Sequence, residues 1–185
     1  SQRERALDLL GRREQQKLVV DRMMEIAFRS GNDRRNAVSL KKKGALARVT
    51  GRLDEARSCL EKALELSRRA VDRAFEGIVL GNLGALDLNQ GRFDQAREFF
   101  EKALRIHREA GDLRSEGIIL MNLGIAHKNL GRADEARACY ESALETARRA
   151  GDRRTVGDVL GNIGTLLWAA GSLEEAANYY GRALD

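Results

Sequence analysis

Histidine and cysteine are the side chains of this chain best suited to chemistry, because they transfer protons, act as nucleophiles and bind metals near neutral pH. The sequence contains two of each: His107, His127, Cys59 and Cys139. No His-Glu-x-x-His sequence pairs two zinc ligands, and no Gly-x-x-x-x-Gly-Lys sequence could cradle a phosphate. We therefore interpret both histidines as surface or packing residues, and we expect no catalytic residue, no metal site and no cofactor.

Charged side chains are the next candidates for a chemical role. Carboxylates and arginines follow one another at helical spacings, which indicates a solvated charged face. Residues 1–50 contain 13 Lys or Arg and 6 Asp or Glu, whereas residues 51–185 contain 20 and 22. The basic side chains that could attract nucleic acid are Arg34, Arg35, Lys41, Lys42, Lys43 and Arg48. No aromatic residue accompanies them for base stacking, so a nucleic-acid-binding regulator domain is only the third alternative for function.

A repeat of 40 residues runs through the chain and must position any functional side chain. Gly-Arg recurs at residues 11, 51, 91 and 131, and Gly-Ser continues the series at residue 171. An asparagine followed by Leu-Gly or Ile-Gly recurs at residues 82–84, 122–124 and 162–164. Apolar residues recur near helical spacing in two segments of each unit, and the 185 residues include no proline. The pattern predicts an array of helix pairs.

Glycine and aspartate predict where these helices end and begin. Gly91 and Gly111 stand where two helices must stop, because glycine adopts the left-handed backbone conformation without strain. Asp94 falls in the first turn of the next helix, where its charge meets the positive end of the helix dipole. Asp112 is placed to cap the helix that follows Gly111.

Small residues recur at fixed positions inside the predicted helices. They are Gly77, Gly84, Ala96 and Ala103 in one unit and Gly117, Gly124, Ala136 and Ala143 in the next. A glycine inside a helix costs about 0.5–1 kcal/mol relative to alanine. Its recurrence therefore predicts that helix axes approach each other closely at these positions.

The two cysteines occupy equivalent positions of the repeat, and the same position holds Phe99 and Tyr179. A packing role is therefore favoured over a reactive thiol. Four helix-to-helix steps of about 8–10 Å separate Cys59 from Cys139 in such an array, and a disulfide needs Cα atoms within about 7 Å. We expect both cysteines to be free thiols.

These motifs resemble the tetratricopeptide repeat family. The residues that fit its helix-pair signature are Leu83-Gly84, Ala96, Phe100 and Ala103, and then Leu123-Gly124, Ala136, Tyr140 and Ala143. The period of 40 exceeds the usual 34 and is similar to the subclass of Pins/LGN-type scaffolds, kinesin light chains and bacterial signalling proteins. The signature Trp is replaced by leucine at residues 80, 120 and 160. The resemblance implies an all-α fold: a right-handed superhelical solenoid of antiparallel helix pairs.

The resemblance also implies the organisation of the chain. We expect a single array over residues 1–185, with a partial repeat at 1–30, full repeats at 34–70, 73–110 and 113–150, and a partial last repeat at 153–185. Residues 1–10 are expected to be the remnant of one helix, which ends at Gly11, and a second helix is expected to reach about residue 30.

In this family the first helix of each pair lines a concave groove that receives extended or helical peptides. By position, Asn82, Asn122 and Asn162 would each contribute an amide, which can satisfy a peptide backbone regardless of its sequence. The other residues placed on this face are Lys41, Lys42, Arg48, Asn89, Met121, Lys128, Asn129 and Trp168. The alternative is that each asparagine hydrogen-bonds a neighbouring helix.

The resemblance implies a protein–protein interaction scaffold within a larger protein of the bacterial signalling or regulatory type. We expect it to be no enzyme and to need no cofactor, because no enzymatic motif is found in the sequence. We expect it to be cytoplasmic, because no charged-then-apolar leader opens the sequence and it has no apolar run of about 18 residues. Its partner would be a protein or peptide, acidic toward Lys41, Lys42 and Arg48 and apolar toward Trp168.

The second alternative is a self-assembly module. The predicted last helix begins near Leu173 and offers Ala176, Tyr179, Tyr180, Ala183 and Leu184 as apolar surface. The shortened first helix offers Ala6, Leu7, Leu9 and Leu10. Unmatched apolar faces at the ends of an array invite association, so we predict a homodimer through the C-terminal helix.

Overall fold

The structure, a computed structural model, describes residues 2–29 and 31–184, without the side chains of residues 2–10 and 13. These residues form helices joined by short turns, and no strand occurs among them. The helices are α1 (Gln2–Arg29), α2 (Asp33–Val49), α3 (Leu53–Arg69), α4 (Arg73–Asn89), α5 (Phe93–Glu109), α6 (Leu113–Asn129), α7 (Ala133–Arg149), α8 (Arg153–Ala169) and α9 (Leu173–Leu184). The predicted all-α fold of helix pairs is confirmed. None of the described helices is long and apolar enough to cross a membrane.

Local residue chemistry sets the helix ends, as the sequence predicted. Gly91 has a φ of +72° and Gly111 a φ of +66°, the left-handed conformation that closes each helix. Asp94 lies in the first turn of α5. Asp112 caps α6, because its Oδ1 accepts a hydrogen bond from the Ser115 amide at 3.1 Å. Val71 adopts the same left-handed conformation with a φ of +54°, although it is β-branched.

The helix predicted to end at Gly11 does not end there, and this expectation is wrong. α1 runs without a break from Gln2 to Arg29. Gly11 has no left-handed φ, unlike the glycines that close the other helices. A helix tolerates one glycine at a cost of about 1 kcal/mol, and strong helix formers follow this one. The side chains of Ala6, Leu7, Leu9 and Leu10 lie outside the described residues, so the predicted apolar end surface is not tested.

The chain divides by its contacts into two compact units, residues 1–82 and 83–185. In the first unit α1 packs on α2 and α2 on α3. The core of this unit is built largely of small residues that let the helices approach, such as Ala37, Ala47, Ala56 and Ala63, together with Leu60. The turn between α2 and α3 is short, and this places the two helices antiparallel.

In the second unit each helix from α5 to α9 packs on the next one, and α6 also contacts α8. The glycines predicted to allow close approach do so in two ways. At Gly124 a Cβ atom would lie 2.4 Å from the Tyr140 ring, and at Gly84 it would lie 2.6 Å from the Phe100 ring. At Gly117 it would lie 3.5 Å from the backbone nitrogen of Ala147. Gly117 therefore lets two helix backbones approach, whereas Gly84 and Gly124 make room for an aromatic ring.

Tyr140 is fully buried, and its hydroxyl has no hydrogen-bond partner among the described residues. Burial raises the pKa of this hydroxyl well above its usual value. One repeat later, Tyr180 donates a hydrogen bond to the Thr165 Oγ1 at 3.2 Å. Residue 125, which corresponds to Thr165, is an isoleucine and offers no acceptor. The Tyr140 hydroxyl is therefore desolvated without compensation.

We expect Tyr140→Phe to leave the free energy of unfolding unchanged or to raise it by up to about 1 kcal/mol, because it removes an unsatisfied buried hydroxyl. The control Tyr180→Phe removes a made hydrogen bond and should lower that free energy by about 0.5–1 kcal/mol. Urea unfolding followed by circular dichroism measures both. A loss of more than 1 kcal/mol in Tyr140→Phe would show that its hydroxyl does have a partner.

Candidate functional site

The first unit holds four of the residues predicted to line a groove. Lys41, Lys42 and Arg48 lie on α2 and Asn82 lies on α4. Lys42 is exposed and the other three are partly buried. Neither Lys41 nor Lys42 forms an ion pair within the described part of the chain. Their positive charge is therefore available to a partner.

The second unit holds the remaining predicted residues. Asn89 lies at the end of α4, four residues lie on α6, and two lie on α8. Those on α6 are Met121, Asn122, Lys128 and Asn129, and those on α8 are Asn162 and Trp168. Because α6 contacts α8 directly, the structure brings these two sets onto neighbouring helices. Trp168 is 63% exposed, which is unusual for so large an apolar side chain.

The asparagines hydrogen-bond their own helices. The Nδ2 of Asn82 donates to the carbonyl of Ile78 at 2.7 Å, and that of Asn162 donates to the carbonyl of Asp158 at 3.0 Å. The alternative prediction, a bond to a neighbouring helix, is wrong for both residues. Asn122 makes no side-chain hydrogen bond to any described residue. Since an amide group has two donor hydrogens and an acceptor oxygen, each of the three keeps hydrogen-bonding capacity.

Two further residues complete this face of the second unit. Ile118 precedes Asn122 by one turn of α6 and is 38% exposed. Asp158 precedes Asn162 by one turn of α8, is exposed, and lies 4.0 Å from Arg154. Asp158 is not among the residues predicted for this face, although the 40-residue register from Ile118 marks its position. The two helices therefore differ: α6 presents an apolar residue where α8 presents a carboxylate.

The histidines and cysteines are packing residues. His107 is buried and its Nδ1 lies 3.3 Å from Asp112 Oδ2, at the turn between α5 and α6. His127 is partly buried, and desolvation lowers its pKa. Burial raises the pKa of the Cys59 and Cys139 thiols, so neither is an activated thiolate. Both cysteines are free, as predicted.

The described residues contain no candidate metal site. Nowhere in that part of the chain do three or more His, Cys, Asp or Glu side chains gather in an arrangement that could hold an ion. The features that remain are a polar and apolar face on α6 and α8 and a basic surface on α2.

Known proteins share this architecture. The model of the tetratricopeptide repeat family matches residues 35–109 and 115–185. BtubC (BKLC) from P. vanneervenii is 26% identical, with a TM-score of 0.79 over 93% of this chain and 72% of that chain. A kinesin-light-chain-like protein of Podosopora anserina with nearly identical TPR-like repeats is 15% identical, with a TM-score of 0.70 over 98% and 93% of the two chains.

A further similar structure contains a peptide. The Rap conjugation gene regulator of plasmid pLS20, solved in complex with the Phr* peptide, is 21% identical, with a TM-score of 0.72. The match covers 80% of this chain and 42% of the regulator, so the chain spans less than half of that protein. No curated protein sequence matches the chain.

Proposed function

This chain belongs to the tetratricopeptide repeat family, and on that premise we propose that it is a scaffold that binds an extended segment of a partner protein along α6 and α8. The proposal involves no catalytic step. The observation that carries it is the pair of asparagines at corresponding positions of these two helices, Asn122 and Asn162. Their unused donors and acceptors match those of an extended peptide backbone, which has both kinds of group along each edge.

Apolar side chains next to the asparagines would supply much of the binding energy. Met121 is partly buried on α6, and Ile118 and Trp168 are more exposed. Burying apolar surface yields about 25 cal/mol per Å², so a partner residue that covers the Trp168 ring contributes far more than one rim ion pair. Lys128 and Asp158 have opposite charges and would orient the peptide. The partner segment is thus mixed, with an apolar residue facing Trp168.

The Rap regulator supports this proposal in one respect only: a protein of similar fold was solved with a peptide bound. In the first unit, the same function would use Lys41, Lys42, Arg48 and Asn82. The lysines without ion pairs favour an acidic partner segment there. Asn89 and Asn129 would extend the contact in the second unit, where the Nδ2 of Asn129 already donates to the Ile125 carbonyl at 2.8 Å.

We expect the double substitution Asn122→Ala and Asn162→Ala to weaken peptide binding at least tenfold while hardly changing stability. The probe is a peptide selected on the wild-type chain from a displayed library of random peptides, and calorimetry measures its Kd. Trp168→Ala should weaken binding by a similar factor. Stability should change by only about 0.5 kcal/mol, because the amides are partly exposed.

The matched control is Asn178→Ala, which removes an exposed asparagine of α9, outside this face. Its affinity should equal that of the wild type. Unchanged affinity in the double variant would refute the proposed surface. A large drop in melting temperature without loss of affinity would assign the asparagines a structural role.

Self-association is the second candidate, because α9 exposes large apolar residues. Leu184 is 90% exposed and Leu173 is also exposed. Only part of the Tyr180 side chain is available to a second copy, because its ring packs against Gly164. A Cβ atom added to Gly164 would lie 2.8 Å from that ring. A test of the dimer should therefore change Leu184 rather than Tyr180, and it should measure mass in solution over a concentration series.

A further inference from the structure

Helix α2 packs on the elements that follow it in the first unit, namely α3 and the turn between α3 and α4. Its Gly44 lies against Leu60 of α3, where a Cβ atom would be 3.0 Å from the Leu60 side chain. At one end of α2, Arg34 forms an ion pair with Asp72 at 2.7 Å. Near its middle, Lys43 lies 3.4 Å from Glu55. The surface that receives α2, called the filled seat below, therefore has an apolar centre at Leu60 and two carboxylates, Glu55 and Asp72, that pair with basic side chains of α2.

The corresponding seat one repeat earlier is formed by α1 and α2, and no described helix covers it. Two cavities of about 570 and 560 Å³ follow its length, and Phe75 of α4 also lines the first of them. Val20 and Met23 of α1 line them at the positions that Leu60 and Ala63 hold in α3. Val19 lines the second cavity and is 58% exposed. The groove therefore has the shape and the apolar floor of a helix seat that is filled one repeat later.

The charge of this groove is opposite to that of the filled seat. Where Asp72 and Glu55 stand in the filled seat, the α1/α2 groove has Asn32 and Gln15, which carry no charge. Four basic residues, Arg12, Arg34, Arg35 and Lys42, line it as well. Arg34 pairs with Asp72, whereas neither Arg35 nor Lys42 is paired with a carboxylate in the described part of the chain. A basic helix such as α2 would find no carboxylate partner there, and a helix with carboxylates would find two free cations.

We propose that the α1/α2 groove is a second docking site, which binds an amphipathic α-helix with an apolar stripe and acidic flanks supplied by a partner protein. The proposal stands apart from the face on α6 and α8, which would take an extended segment. Because the helix pairs its carboxylates with exposed cations, the complex weakens as salt screens them. The shape of the groove favours a helix as its ligand, and the cations Arg35 and Lys42 favour one with acidic side chains.

The probe is a fluorescein-labelled peptide with the sequence of residues 33–49 in which every Lys and Arg is replaced by Glu. This peptide keeps the apolar stripe of α2, which already fits a seat of this shape. Fluorescence anisotropy with the 185-residue chain measures its Kd. We expect it to bind at least tenfold more tightly than the unmodified α2 peptide and than a scrambled acidic peptide of the same composition.

Two variants test the groove independently. Val19→Glu places a charge on its floor, and Arg35→Glu removes a cation while adding an acid to the first turn of α2, where the helix dipole favours it. Each should raise the Kd at least tenfold. The matched control is Leu18→Glu, which alters a neighbouring α1 residue that is 72% exposed and does not line either cavity. Its Kd should stay within twofold of the wild type, and circular dichroism confirms that all three variants fold.

Three results would overturn the proposal. Equal binding of the scrambled peptide would mean that charge alone acts, without a helix seat. An equal effect of Leu18→Glu and Val19→Glu would place the contact outside the groove. Absence of saturable binding, or self-association that Val19→Glu abolishes, would mean that no acidic helix or only a second copy occupies it. None of these outcomes depends on the α6 and α8 face, which the Asn122 and Asn162 variants test separately.

Discussion

Replacement of Arg92 by serine should lower the free energy of unfolding by about 3 kcal/mol, the largest effect expected for a partly exposed side chain of this protein. The Arg92 Nε donates a hydrogen bond to Asp87 Oδ1 at 2.6 Å, and Asp87 is only 1% exposed. Without the guanidinium, the buried carboxylate at the α4–α5 turn loses this short charged hydrogen bond. The cost is at the lower end of the usual range because Arg92 itself is partly exposed.

The repeats themselves supply the controls for this experiment. Leu167 and Ser172 occupy the positions of Asp87 and Arg92 in the last pair, so the double variant Asp87→Leu, Arg92→Ser should recover most of the loss. Arg132 occupies the same position as Arg92, but His127 rather than a carboxylate occupies the position of Asp87 in that repeat. Arg132→Ser makes the same change at the start of a helix and should cost less than about 0.5 kcal/mol.

Urea unfolding followed by circular dichroism measures all four proteins. The comparison between Arg92→Ser and Arg132→Ser removes any gain from a serine at the helix start, since both arginines precede a helix and neither side chain caps it. Equal losses in these two variants would show that the Asp87 ion pair contributes nothing. A double variant as unstable as Arg92→Ser would show that leucine does not fit at residue 87.

Replacement of Gly124 by alanine is the second large effect, a loss of about 1–3 kcal/mol. The added methyl would lie 2.4 Å from the Tyr140 ring, and that ring is fully buried, so it cannot move aside without disturbing the core. The usual gain of alanine over glycine in a helix, about 1 kcal/mol, is too small to compensate. Thermal and urea unfolding measure the change.

Gly161→Ala is the matched control, because it lies inside α8 with no atom within 4 Å of an added Cβ. It should raise the free energy of unfolding by up to about 1 kcal/mol. Combining Gly124→Ala with Tyr140→Ala should recover part of the alanine penalty, since residues in contact are not additive. A gain in Gly124→Ala as large as that in Gly161→Ala would contradict the observed packing.

Features that depend on neighbours within a few residues could be predicted from the sequence. The 40-residue repeat, the all-α fold, the left-handed turns at Gly91 and Gly111 and the cap at Asp112 all follow from local backbone and hydrogen-bond chemistry. The absence of a disulfide between Cys59 and Cys139 could be predicted as well, since their equivalent positions put them in separate repeats. Such features are predictable because the interacting groups are close in the chain.

Contacts between residues far apart in the chain could be read only from the folded structure. It placed the Tyr140 ring, rather than a helix backbone, against Gly124, and it directed the Asn82 and Asn162 amides to their own helices. The helical pattern of α1 did not reveal that Gly11 stays helical, because a glycine ends a helix only when the following chain turns away. Nor could spacing show that Gln15, Asn32, Arg35 and Lys42 line one groove between α1 and α2, since packing alone brings these residues to one surface.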